Sequence, residues 1–250
     1  MIIGGGSISK GETLLFDRRI VALSKKKHPH VLFIPTASGE SESYIEMFKK
    51  VYETKLGCKV NVLYLLHEKP SKKELRQKIL STDIIYVGGG NTLKMMKRWR
   101  LLGVDTILKE AYNKGIVCAG VSAGGICWFD AGHSDSMSFY HPDNWNYVKV
   151  RGVGVLKGIH CPHYNGETRG IKRKQNFSTF MKKHSDIGIA IDNHAAIEFH
   201  NGQFKVLHSK KGRGAYKLFK HGGKLLREEI PQRRGYVSTS LLYEKEEHCF

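Results

Sequence analysis

The chain reads as an α/β protein built on a mostly parallel sheet, with antiparallel strands at the edge formed by its C-terminal part. Two observations lead to that class. Through the first half, short apolar runs alternate with charged segments whose apolar residues recur at helical spacing, the texture of strands covered by helices. Two of those runs end in glycine-rich turns, Gly88-Gly89-Gly90-Asn91-Thr92 and Gly120-Val121-Ser122-Ala123-Gly124, each opening onto a helical segment. With parallel strands feeding them, such turns meet at the carboxyl edge of the sheet, where open α/β folds bind their ligands.

Taken in order, the strands of the first half are expected over residues 1–3, 30–34, 59–65, 84–87 and 116–121. Helices are expected between them over 12–23, 42–55, 72–79 and 93–114, the last broken near Gly103. Ser71 before Lys72-Lys73-Glu74 supplies an N-cap with its capping-box glutamate. The texture changes after the second turn. Residues 132–151 are rich in His, Asp, Ser and aromatics without clear periodicity and read as loop and irregular strand. A short strand end is expected at 159–162, a helix at 171–182 and a buried strand at 187–191. Short strands at 197–200, 204–207, 215–219 and 224–226 are separated by Asn201-Gly202, Lys211-Gly212 and Gly222-Gly223, which predicts hairpins on one edge of the sheet. From 229 to 250 the chain is polar and charged. At 250 residues, with no repeat or low-complexity linker, it is expected to form a single α/β domain over 1–250.

The charge is strongly positive, with 41 Lys and Arg against 23 Asp and Glu, or +18. Such a field can draw nucleic acid, anionic surfaces or acidic small substrates. The basic residues are scattered, in Lys25-Lys26-Lys27, Lys72-Lys73, 169–174, Lys210-Lys211 and Arg233-Arg234, with no RNP-type aromatic strand, zinc finger or heptad beside them. A solvated basic surface is therefore expected and nucleic acid is not an expected partner, although a basic nucleic-acid-binding protein on a hydrolase-like scaffold stays as the reading from another class. The five cysteines, Cys58, Cys118, Cys127, Cys161 and Cys249, are odd in number and irregular in spacing, as reduced thiols of a cytoplasmic protein would be. The first residues lack a basic segment followed by a long apolar one, and no window approaches the ~20 apolar residues of a membrane span. A cytoplasmic protein without a membrane partner is expected.

Gly120-Val121-Ser122-Ala123-Gly124 has the Gly-x-Ser-x-Gly form of a nucleophile elbow. A serine on so tight a turn needs neighbours without bulk, or the backbone could not hold the strained angles that expose its hydroxyl. A plain glycine-rich turn is the competing reading. A serine hydroxyl becomes a nucleophile only when a base takes its proton and donors hold the oxyanion that follows. The Gly88 to Thr92 turn offers free backbone N–H groups at a helix start. No Gly-Lys-Ser/Thr or Gly-x-Gly-x-x-Gly pattern makes it a nucleotide loop. Gly4-Gly5-Gly6-Ser7 reads as a tight first turn. For the base, His163 in His160-Cys161-Pro162-His163-Tyr164 is best placed, with His160 as the alternative. His133, His141, His160 and His163 with Asp135 and Cys161 lack metal-site spacing, so no metal and no cofactor is expected.

Together, the Gly88 to Thr92 turn, the elbow, Pro162-His163 and Gly166-Glu167-Thr168-Arg169 resemble the peptidase E (α-aspartyl dipeptidase) and cyanophycinase family of serine peptidases, over roughly residues 1–199. The resemblance implies a three-layer α/β/α sandwich similar to the class I glutamine amidotransferases (flavodoxin-like), with serine at the elbow where those enzymes carry cysteine. Cys118 and Cys127 flank the turn without occupying it. It further implies Ser122 as nucleophile, His163 as general base, the Gly90 and Ala123 amides as the oxyanion hole and Arg169 as the partner of a substrate aspartyl side chain, a role suited to a bidentate guanidinium. For the third triad member it points to Asp135, with Asn193 and Asp192 in reserve, because Ile191-Asp192-Asn193 carries asparagine where the cyanophycinases carry glutamate. The implied activity is hydrolysis of short peptides with an N-terminal aspartate through an acyl-enzyme. Another acidic or branched peptide, as for a cyanophycinase, is the alternative. The expected partner is a small acidic peptide, and the expected assembly a monomer or homodimer.

Overall fold

The alternation of β-branched runs with amphipathic segments is realised element by element in the computed structural model, which describes residues 1–245. The first half forms β1 (Ile2–Ile3), α1 (Leu14–Leu23), β2 (His30–Ile34), α2 (Glu42–Lys49), β3 (Lys59–Val62), α3 (Lys72–Leu80), β4 (Ile84–Val87), α4 (Thr92–Leu102), α5 (Val104–Asn113) and β5 (Val117–Val121). A π-helical turn over Lys50–Lys55 prolongs α2. Ser71 and Glu74 make the expected capping box on α3. Gly103, at φ 72°, ends α4 and opens α5, the break that a left-handed glycine permits.

The second half forms α6 (Ala123–Ile126), β6 (Phe129–Ser134), β7 (Val148–Arg151), β8 (Leu156–Cys161), β9 (Glu167–Thr168), β10 (Ile171–Lys172), α7 (Arg173–Met181), β11 (Gly188–Ile191), β12 (Ala195–His200), β13 (Gln203–His208), β14 (Ala215–His221), β15 (Lys224–Ile230), β16 (Val237–Ser238) and α8 (Ser240–Tyr243).

The main sheet has eight strands in the order β16-β13-β12-β1-β5-β4-β2-β3. Its β1, β5, β4, β2 and β3 are parallel, and β12, β13 and β16 add an antiparallel edge. Alternate side chains of each strand enter opposite layers, as the pleat demands. Val31, Phe33 and Tyr86 pack with Phe16, Ile20, Ile45 and Phe48 of α1 and α2. Leu32, Ile34, Ile85 and Val87 pack with Leu75, Met95, Trp99 and Leu108 of α3, α4 and α5. This is the three-layer α/β/α arrangement with a mostly parallel sheet.

The late strands depart from expectation. They do not all line one edge, because β14 and β15 turn away into a second, six-stranded sheet, β15-β14-β11-β8-β6-β7. Phe129, Leu156, Ile189 and Phe219 of that sheet share a core with Ile197 and Phe204 of the first, while α7 covers its other face through Phe177 and Met181. Residues 132–151 are partly regular, since they hold the end of β6 and all of β7. Their pattern was obscured because β6 buries the polar His133 and Ser134. The tail is also more ordered than its polarity suggested: Ile230 and Leu242 are buried. Cys249 and the end of the tail lie outside the described residues, among which Cys58, Cys118, Cys127 and Cys161 are free thiols. Among the described residues no helix is long and apolar enough to cross a membrane.

Candidate active site

The main sheet delivers the serine. β5 ends at Val121, and Ser122 turns the chain into α6 with φ 55° and ψ −116°, a conformation that non-glycine residues rarely hold. Close packing explains both flanking glycines. A Cβ on Gly120 would lie 2.1 Å from the Gly124 carbonyl oxygen, and one on Gly124 would lie 2.0 Å from that of Val87. The turn is held by the Ser122 N–H, which donates to Ile3, and by the Gly125 and Ile126 N–H groups, which donate to the Ser122 carbonyl at 2.8 and 2.9 Å.

The second sheet delivers the imidazole. His163 follows β8, and Asn193 follows the parallel neighbour β11. His163 Nε2 lies 2.8 Å from Ser122 Oγ, and its Nδ1 lies 2.6 Å from Asn193 Oδ1. An amide oxygen only accepts, so with Oδ1 assigned toward the ring Nδ1 carries the proton and Nε2 presents its lone pair to the serine hydroxyl. That is the tautomer a general base needs. Burial holds the imidazole below the usual histidine pKa, with help from the nearby Arg173 charge; the Asn193 hydrogen bond and Asp135 oppose the shift.

Gly4 and Gly5 prove to be more than a first turn. The Gly4 carbonyl accepts from the His163 N–H and the Gly5 carbonyl from the His194 N–H. A Cβ on Gly5 would stand 2.1 Å from Asn193 Oδ1 and 2.3 Å from His163 Nδ1. A bare backbone is what lets the imidazole and amide close together there. The chain alone displays only the glycines, because the groups that need the space, His163 and Asn193, are distant in sequence.

Asp135 is a correction. Its Oδ2 accepts from Arg173 Nη2 at 2.6 Å and from Thr168 Oγ1 at 3.0 Å, and it makes no bond with His163. The strand order gives the reason. Asp135 follows β6, which lies on one side of β8, whereas the His163 Nδ1 atom faces β11 on the other. Asp192 is turned away as well, accepting from the Gly214 N–H and the Tyr216 hydroxyl. Asn193, the reserve, stands at the imidazole. His160 is fully buried, stacks on Phe129 and bonds the Ile189 carbonyl, and burial pushes its pKa down to about 3. His133 pairs with Asn176, and His141 is exposed. Among the described residues no three His, Cys, Asp or Glu side chains gather as a metal set would.

Two backbone donors stand in the glycine turn and the elbow. Among the described residues, neither the Gly90 nor the Ala123 N–H is given to a backbone carbonyl. Gly90 holds φ 135° against the Ala37 carbonyl, where a Cβ would lie 2.2 Å from the oxygen, and a Cβ on Gly89 would lie 3.4 Å from that of Ser122. Arg169, at φ 47°, occupies the exposed turn between β9 and β10 and has no carboxylate partner among the described residues. The root of its hairpin is tied to His163, for the Gly166 N–H donates to the His163 carbonyl at 2.8 Å. Arg173, which the motifs did not single out, straps the same hairpin. Nearly buried at 2% exposure, it bonds Asp135, Thr168 and the His133 carbonyl and lies over the Tyr147 ring.

Known proteins share this framework. The sequence model described as peptidase family S51 matches residues 1–207. A Bacillus subtilis (strain 168) protein named Uncharacterized peptidase YgaJ is 38% identical over 216 residues, covering 86% of this chain and 89% of the relative. The crystal structure of a peptidase from an acI-B1 Actinobacterium superposes with a TM-score of 0.68, covers 94% of both chains and is 20% identical, so it speaks to the fold.

Proposed function

This chain belongs to peptidase family S51, and from that premise we propose that it is a serine exopeptidase cleaving short peptides with an N-terminal aspartate. One observation carries the reading: the unbroken line from Ser122 Oγ through His163 Nε2 and Nδ1 to Asn193 Oδ1, at 2.8 and 2.6 Å. His163 takes the hydroxyl proton as Ser122 Oγ bonds the scissile carbonyl carbon. The oxyanion is held by the Gly90 and Ala123 N–H groups. The C–N bond breaks as His163 returns its proton to the leaving amine, and water, deprotonated by the same imidazole, releases the acyl group. Asn193 orients the ring and favours the useful tautomer, but a neutral amide stabilises the imidazolium less than a carboxylate. The substrate's aspartyl carboxylate pairs with Arg169, which is exposed and has no carboxylate partner among the described residues.

Ser122→Ala tests the reading. It is expected to abolish Asp-X hydrolysis and labelling by a serine-directed fluorophosphonate, with an unchanged circular dichroism spectrum. A variant that kept most of its activity would remove Ser122 from the mechanism.

A further inference from the structure

A cavity of about 380 Å3 opens on the α2 side of the elbow. Its walls include Gly6 and Val121, the residues next to Gly5, which backs the imidazole, and Ser122. Six hydroxyl-bearing residues line it, Ser7, Ser9, Thr13, Ser43, Tyr44 and Tyr86, and Met47 and the Tyr86 ring add apolar surface. No Asp, Glu, Lys or Arg is among its lining residues. Ser7 and Ser9 bond each other through their hydroxyls at 2.7 Å, and the Tyr44 ring packs against Gly88 of the neighbouring turn.

The chemistry of the leaving step gives this space an occupant. His163 Nε2 must reach the departing nitrogen, so the residue attached to that nitrogen leaves on the imidazole side, and the cavity begins one residue beyond Gly5. We propose that this cavity is the subsite for the residue released in the first step and that it selects a neutral side chain; the proposal rests on the peptidase reading above. Hydroxyls supply donors and acceptors for Ser, Thr, Asn or Gln, while Met47 and Tyr86 supply contact for Leu or Met. A lysine or glutamate side chain would give up hydration there with no charged group on the lining, because the neighbouring carboxylates of Glu12 and Asp17 are already taken by the Ser7 N–H and by the Thr13 and Tyr52 hydroxyls, at a cost that opposes binding. The volume lies at the small end of the ~300–1,000 Å3 of ligand pockets, enough for one residue and not for a long peptide.

The test is a series of Asp-X dipeptides, X being Gly, Leu, Gln, Glu or Lys, with wild-type protein, Met47→Trp and Ser43→Lys. Wild type is expected to favour Leu and Gln over Glu and Lys by about tenfold in kcat/KM, the scale of pocket discrimination. Met47→Trp should cut the Leu-to-Gly ratio about tenfold, and Ser43→Lys, at the exposed rim, should raise the Glu-to-Gln ratio by a similar factor. Asp-X cleavage whose dependence on X is the same in all three proteins would overturn the subsite alone. If wild type cleaves none of the five and Ser122 takes no fluorophosphonate, the peptidase reading fails and the subsite falls with it.

Discussion

On the proposed mechanism His163 accepts a proton only while neutral, which ties its surroundings to a measurable pH profile. Burial and the Arg173 charge favour the neutral ring, so the neutral fraction persists below the ordinary histidine value of about 6.5. On the proposed mechanism, the midpoint of the acidic limb of kcat/KM should therefore lie below that of an ordinary histidine. Asn193→Asp places a carboxylate against the Nδ1 proton, stabilises the imidazolium and should move that acidic limb upward. A limb that stays in place would detach Asn193 from the base. Arg169 is tested by its preference: Arg169→Met should raise KM for Asp-X far more than for a neutral dipeptide, and equal losses on both would assign it to structure.

At the scale of elements, the β9–β10 hairpin that carries Arg169 depends on the Arg173 strap. Asp135→Ala would strand a buried guanidinium, and removal of one partner of such a pair costs about 3 kcal/mol, readable as a lower urea midpoint at unchanged m-value. Arg173→Met with Asp135→Ala should recover much of that loss, because no charge is then left unpaired. The same elements show how far local pattern reaches. Alternation placed every strand and helix up to β5, including the Gly103 break, since all of them but the edge strand β3 bury apolar residues. It missed β6 and β7 as parts of a sheet because His133 and Ser134 face inward there, bonded to Asn176 and Thr92, and buried polar groups erase the apolar signature of a strand. It also put β14 and β15 on the wrong sheet, since a hairpin's turn residues specify its partner strand and not the edge it joins.

For the whole molecule the dominant quantity is the net charge of +18. A field of that sign raises the encounter rate of an anionic peptide and is screened by salt. kcat/KM for Asp-X is therefore expected to fall as NaCl rises from about 0.01 to about 0.5 M, across which the Debye length shrinks from ~30 Å to a few Å. A neutral dipeptide should show a much weaker fall, and parallel curves for the two would remove steering from the account. The two-sheet architecture explains what could be read beforehand. The elbow, the glycine turn beside it and the helix-covered parallel sheet are legible in the chain alone, because each shows itself in residues close in sequence: Gly120 leaves room for the Gly124 backbone four residues on. What meets the far side of His163 is set by long-range strand pairing. Asp135, Asp192 and Asn193 all lie at the ends of strands β6 and β11, and the order β11-β8-β6 sends one carboxylate to Arg173, turns the other toward Gly214 and leaves the amide against Nδ1. That choice follows from the side of β8 on which each strand pairs, a long-range contact that no local pattern encodes.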